Sequence, residues 1–190
     1  RRYAAFLRNA QNQPSAAENV LAETARRYPN DLATLSELAE LRLALEDYVG
    51  ADRVAQQLRR LQGGEAVADR VLAASLAGQG DIQQGLDVLE RSVAETEGGD
   101  GALATLVAGY IRTGETGRAI TLLDERLTQN PEDIRALVLR AEIDLLSGEM
   151  TAAEDRLRRT VEVAPELQVS HLVLARFLLS QERLDEALET

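Results

Sequence analysis

The chain contains no cysteine, no tryptophan and no lysine, and only one histidine and one methionine among its 190 residues. Each absence removes a class of chemistry. Without cysteine there is no disulfide and no thiolate nucleophile or ligand, a state that suits the cytoplasm and the periplasm equally. All 21 basic residues are arginine, so the chain lacks the phosphate-contacting lysine of a nucleotide-binding loop and the amine of a Schiff-base enzyme. The one histidine, His171, has no second histidine or cysteine to join it in a metal site or a nucleophile–base pair, and reads as a packing or surface residue. Gly98-Gly99-Asp100-Gly101 is not followed by the lysine or hydroxyl residue that a phosphate cradle needs, and the acidic residues Glu95, Glu97 and Asp100 lack the alternating ligands of a calcium loop. No apolar run approaches the roughly 18 residues that read as a membrane span. We therefore expect no catalytic residue, no cofactor, no metal site and no transmembrane segment here. Charge narrows the partners further: 32 acidic against 21 basic residues give a net −11, a field that repels phosphate backbones, so nucleic acid is not expected.

What is present is periodicity. The stretch Asp100–Asp133, DGALATLVAGYIRTGETGRAITLLDERLTQNPED, sets a frame of 34 residues that recurs in both directions. Steps of that length join Gly80, Gly114 and Gly148, and Pro131 to Pro165. A column of small residues reads Ala17, Ala51, Gly85, Ala119, Ala153, Ala187, and a second, twelve residues earlier in each unit, reads Ala5, Ala39, Ala73, Val107, Ala141, Ala175. A third is leucine at Leu38, Leu72, Leu106 and Leu174, broken by Arg140. Small residues at matched places on two successive helices let their backbones approach while neighbouring leucines fill the remaining space. One helix pair cannot bury its apolar face alone, so units must stack.

The paired small residues, the turn glycines, Tyr110 and the closing prolines Pro29, Pro131 and Pro165 resemble the tetratricopeptide repeat family along the whole chain. Departures are local: Glu46 and Glu182 stand where the turn glycine belongs, and Gly63 and Glu97 where the closing proline belongs. The resemblance implies an all-α, right-handed superhelical solenoid of helix-turn-helix units, here spanning 1–31, 32–65, 66–99, 100–133, 134–167 and 168–190. The glycines Gly78, Gly80 and Gly85 of the third unit suggest a looser joint or a hinge, and Gln62-Gly63-Gly64 a flexible helix end. Arg1 and Thr190 both fall inside expected helices, so the solenoid is expected to continue beyond each and the sequence to be part of a longer protein.

In tetratricopeptide proteins the first helix of each unit lines a groove for an extended peptide or a partner helix. Carried onto this sequence, the resemblance implies a partner-binding groove that includes Arg70, Ile111, Arg112, Val138, Glu142, Leu145, Leu172, Arg176 and Leu179. The lysine and asparagine set with which some members clamp a C-terminal carboxylate is not matched, since Ser36 and Glu37 stand at two of its places. Burial of Leu145, Leu172 or Leu179 beneath a partner would contribute roughly 1.5–3 kcal/mol each. The same residues could pack on neighbouring helices instead. Arg140 and Asp144, four apart on one helix in columns that are otherwise largely apolar, read either as a half-buried ion pair or as a polar contact for a ligand chain. The pairs Arg26-Arg27, Arg59-Arg60 and Arg158-Arg159 fall near the ends of second helices, where cations complement the helix dipole.

The expectation from these features is a non-enzymatic protein-interaction scaffold whose partner is a protein or peptide. Unit endings such as LTQNPED and VEVAPEL are similar to those of bacterial repeat lipoproteins of exopolysaccharide-export and exosortase (PEP-CTERM) systems, which implies a periplasmic protein anchored to a membrane through a region outside this stretch; a cytoplasmic location is the alternative. The second function class is a regulatory or substrate-recruiting region of a larger enzyme. The last unit, with Leu172, Leu174, Phe177, Leu178 and Leu179, carries more apolar surface than it can cover, so self-association is also expected.

Overall fold

The computed structural model describes residues 4, 7, 13–95 and 100–190, and every regular element among them is an α-helix. Ala5 of the small-residue column and Glu97, Gly98 and Gly99 of the acidic loop lie outside the described residues. The helices are α1 (Pro14–Arg27), α2 (Leu32–Ala44), α3 (Tyr48–Leu58), α4 (Glu65–Gly78), α5 (Ile82–Glu95), α6 (Asp100–Arg112), α7 (Thr116–Gln129), α8 (Ile134–Leu146), α9 (Met150–Val163), α10 (Gln168–Ser180) and α11 (Leu184–Glu189). Second helices begin at 14, 48, 82, 116, 150 and 184, a step of 34 each time, and first helices at 32, 65, 100, 134 and 168. Only α4 leaves the frame, by one residue. Among the described residues no helix is long and apolar enough to cross a membrane.

The helices stop where they do for a repeated backbone reason. At residues 46, 80, 114, 148 and 182 the chain takes φ between 60° and 95°. Each of these residues donates its N–H to a carbonyl three back, and the next residue donates to a carbonyl five back: Asp47 to Arg42 (2.8 Å), Asp81 to Leu76 (2.9 Å), Glu115 to Tyr110 (2.7 Å), Glu149 to Asp144 (2.8 Å) and Arg183 to Leu178 (2.9 Å). This is the Schellman closure, in which a left-handed residue turns the chain back onto the last carbonyls of the helix. Glycine takes that conformation freely; Glu46 and Glu182 take it too, with φ of 60° and 62°, so the departures noted in the sequence change the cost of the turn and not its geometry.

The turns between units use a different device. In Tyr28-Pro29-Asn30-Asp31, Asn130-Pro131-Glu132-Asp133 and Ala164-Pro165-Glu166-Leu167 the fourth N–H donates to the first carbonyl at 3.1 Å, with proline at the second position, where its fixed φ suits the turn. Leu61-Gln62-Gly63-Gly64 closes the same way without proline, at 2.9 Å, and Gly63 has φ 76°. The residues expected from their glycines to form a flexible helix end thus make a hydrogen-bonded turn. Gly64 is buried, and a Cβ there would lie 2.0 Å from the Leu58 carbonyl oxygen, so glycine is required by close packing.

The chain divides into two compact units, Arg1–Leu106 and Val107–Thr190. In the first, Leu21, Leu35, Leu38, Val54 and Leu58 form a buried cluster, with Ala17, Ala39 and Ala51 fully enclosed between helices. Gly85 of α5 sits so close to α4 that a Cβ would meet the Ala73 carbonyl oxygen at 2.7 Å, which is the backbone approach that the two small-residue columns imply. In the second unit Ala141 and Ala153 are fully buried in a cluster with Leu157, Leu174, Phe177 and Leu178, while Ala187 at the end of its column is only partly buried. Helix α11 has no buried residue of its own.

Candidate functional site

Helix α8 carries Val138, Ala141, Glu142 and Leu145, and helix α10 carries Val173, Arg176, Phe177 and Ser180. Both sets follow the spacing i, i+3, i+4, i+7, which puts each on a single helical face. The two faces, with Leu157 of α9 completing the wall, enclose an open cleft of about 240 Å³. Most of the lining is aliphatic or aromatic. Its charged groups are Glu142 and Arg176, neither of which makes a hydrogen bond or ion pair among the described residues. Loss of water beside the apolar wall pushes the Glu142 carboxyl above the ordinary glutamate range, and the positive field of Arg176 opposes that shift. A carboxylate and a guanidinium, neither of them hydrogen-bonded or ion-paired among the described residues, therefore line an open, apolar-walled space.

Four of the nine groove residues expected from the sequence, Val138, Glu142, Leu145 and Arg176, are brought together in this cleft. Leu172 and Leu179 lie on the same helix α10 but outside it, 57% and 50% exposed. Ile111 is half-buried and Arg112 exposed at the end of α6, and neither lines the cleft. Arg70 belongs to the first unit, where its Nε is buried without a hydrogen-bond partner. The sequence reading missed Val173, Phe177 and Ser180, although their spacing with Arg176 repeats that of the α8 face. Ala141 was assigned to packing alone and also forms part of the lining.

The other departures from the repeat pattern are structural. Asp144 is buried, and both its carboxylate oxygens are taken, one by Arg140 and the other by Arg156 at 2.7 Å. Arg140 also donates from Nε to Asp124 at 3.1 Å. This chain of alternating charge joins α7, α8 and α9 and engages both oxygens of the buried Asp144, which is the ion-pair arrangement expected from the sequence. Asp69 is paired with Arg59, which thus ties α4 to the end of α3 and does more than complement a helix dipole. His171 places its two ring nitrogens against the carbonyl oxygens of Pro165, at 2.6 Å, and Thr190, a packing role.

One polar cluster escaped the sequence reading. Glu154 and Arg158 on α9 meet Arg183 and Glu186 at the start of α11: Arg183 donates to Glu154 at 2.6 Å and to both Glu186 oxygens at 2.6 Å, and Arg158 donates to Glu154 at 2.7 Å and Glu186 at 2.9 Å. Hydrogen bonds from Arg183, and after them from Arg158, hold Glu154 and Glu186 below the ordinary glutamate range. Two repeats earlier the same two helix-start positions carry Glu115 and Arg118, also paired, at 2.7 Å, with the charges exchanged. Among the described residues no group of three or more histidine, cysteine, aspartate or glutamate side chains is placed to hold a metal ion.

No family model matches the sequence, and no functionally curated protein matches it significantly. Solved structures do resemble it. A thermophilic TPR protein of Thermus thermophilus is 21% identical, covers 94% of this chain and 96% of its own, and superimposes with a TM-score of 0.58. MamA is 19% identical over 86% of this chain and 95% of its own, with a TM-score of 0.49. Human IFIT1, solved as a dimer with m7Gppp-AAAA, is 17% identical over 93% of this chain and 44% of its own, with a TM-score of 0.52. With the 34-residue spacing of the second helices and the recurrent left-handed turn, the likeness to the Thermus protein shows that the chain has the helical-solenoid fold of tetratricopeptide-repeat proteins.

Proposed function

We propose that the chain is a non-enzymatic protein-interaction module and that the cleft between α8 and α10 receives a peptide or a partner helix. The observation that carries this reading is the cleft itself: an apolar wall, open to water, on the face of two successive first helices, with a carboxylate and a guanidinium left unpaired at its lining. Concave, mostly apolar spaces with a few convergent polar groups are the usual form of a binding site. Leu172 and Leu179, exposed on α10, extend the apolar surface beyond the cleft. The expected groove residues Arg70, Ile111 and Arg112 belong to the same proposal as outlying contacts.

The partner is a protein and not a nucleic acid. Net charge −11 opposes a phosphate backbone, and the second unit spends Arg126, Arg140, Arg156, Arg158 and Arg183 on internal carboxylates. Binding of RNA that persists at moderate salt would refute this. The unit endings LTQNPED and VEVAPEL support the finer reading of a bacterial envelope protein of the exopolysaccharide-export kind, periplasmic and held at a membrane by another region; fractionation of the full-length protein with the cytosol would exclude it. The docking itself is tested by a photo-reactive residue at Leu145 or Leu172 in the native host, with exposed Asp155 on α9 as control. A discrete adduct from Leu145 in the cleft or from Leu172 beside it, and not from the control, supports a binding module, and adducts solely within the chain would show those leucines to be structural.

A further inference from the structure

Glu142 limits what can occupy the cleft. A purely apolar ligand would strip the remaining water from a carboxylate that already lacks a hydrogen bond, and an uncompensated buried charge is strongly unfavourable. An acidic ligand could reach Arg176, but only beside Glu142 and against the field of a unit whose residues 107–190 hold 16 acidic and 10 arginine side chains, a net −6. A cation meets a different situation: the unit's charge attracts it, and Glu142, which makes no hydrogen bond or ion pair among the described residues, offers it an acceptor that only the more distant field of Arg176 opposes. Space is also limiting. An apolar cavity of roughly 150 Å³ holds a benzene ring, so a cleft of about 240 Å³ has room for one large side chain of the segment that lies over it.

Resting on the reading of this cleft as a docking site, we propose that its occupant is a basic, apolar peptide segment: one leucine-sized or aromatic side chain seated against Val138, Leu145 and Phe177, with a neighbouring lysine or arginine paired to Glu142. The apolar side chain supplies the anchor and the cation supplies selectivity. Arg176, across the cleft, disfavours a second cation and leaves the pairing to Glu142.

Random linear peptides displayed on phage and selected against the wild-type protein, Glu142→Gln and Ser180→Tyr test this. Glu142 is exposed enough for its isosteric amide to leave the fold intact, and Ser180→Tyr places a bulky side chain at the cleft wall from an exposed position. The expected wild-type pool is enriched in large apolar residues next to lysine or arginine. Glu142→Gln keeps the apolar preference and loses the basic one. A selected basic peptide loses about tenfold in affinity for Glu142→Gln, the effect of one close charge pair, and weakens with added salt for the wild type. A wild-type pool rich in aspartate or glutamate, or an unchanged basic bias with Glu142→Gln, overturns the inference while leaving the docking site in place. No enrichment, or the same enrichment on Ser180→Tyr, overturns the docking reading and the inference with it.

Discussion

Arg140, Asp144 and Arg156 can be replaced together by leucine, and the consequence follows from where they stand. One repeat earlier the same positions hold Leu106, Tyr110 and Leu122, and two repeats earlier Leu72, Leu76 and Val88. An Arg–Asp–Arg triad therefore fills a place that neighbouring repeats fill with apolar side chains. Asp144 is 5% exposed at its side chain and Arg140 and Arg156 are 14% and 27% exposed, so the triad has given up most of its hydration. Charges in that position recover their desolvation cost only through good geometry, and apolar replacements of similar volume are often as stable or more so. Asp144→Ala alone leaves two guanidiniums without their shared anion; allowing for their residual solvent, it should cost about 2–3 kcal/mol. Arg140→Leu/Asp144→Leu/Arg156→Leu should equal the wild type or exceed it by about 1–3 kcal/mol. The triple variant also gives up the ion pair between Arg140 and Asp124, but Asp124 is half exposed and such a pair is worth little. Urea unfolding followed by far-UV circular dichroism measures both, with comparison of midpoints valid where the slope is unchanged. A triple variant less stable than Asp144→Ala would refute the reasoning, because it would mean the charges hold α7, α8 and α9 in a geometry leucine cannot maintain.

The left-handed turns make a second test: Glu46→Gly should raise stability by about 0.5 kcal/mol, and Gly114→Ala, where a Cβ meets nothing within 4 Å, should lower it by about 1 kcal/mol through backbone strain alone. Urea midpoints that move the other way would show that these turns are not limited by φ. Gly85→Val should cost about 3 kcal/mol or more, since a side chain must be forced against the Ala73 carbonyl, and a thermal melt unchanged from wild type would contradict the close helix approach. The acid limb tests the α9–α11 cluster: Glu154 and Glu186 have folded pKa values below their unfolded ones, so their contribution is complete above the ordinary glutamate range and is lost as pH falls through the folded values. Stability of the wild type should therefore fall more steeply with acid than that of Arg183→Gln, and parallel acid titrations would refute it. Glu142 shifts the opposite way, so its contribution is present at low pH and lost as pH rises, and Glu142→Gln should be no less stable than wild type at neutral pH.

The repeat frame was legible in the sequence because its causes are local and recurrent. Gly80, Gly114 and Gly148 mark left-handed turns, and the small residues around Gly85 and Ala153 mark close backbones, at a fixed spacing that any window reveals. Ion-pair partners had no such signature. Nothing in one column indicates that Arg183 reaches back 29 residues to Glu154, because that contact depends on side-chain conformations across two helices. The exchange of Glu115–Arg118 for Arg183–Glu186 was visible only as a pair of opposite charges three residues apart.

The candidate site was half legible for a reason of angle. One residue is about 100° on a helix, so Leu172 and Leu179, each one position before Val173 and Ser180, share their spacing but sit to the side of the cleft. The same angle separates two kinds of departure from the repeat. Asp144 stands two residues after Glu142, about 200° further round α8, and finds Arg156 of α9; Glu142 finds no partner. In the two repeats before them the same positions are apolar or small, Leu76 and Tyr110 in one column, Ala74 and Ala108 in the other. A charge introduced on the packed side must bring its counter-charge from the same chain, as Asp144 does with two arginines. One introduced on the open side is under no such requirement while water remains, and its missing partner is then the feature that a ligand can supply.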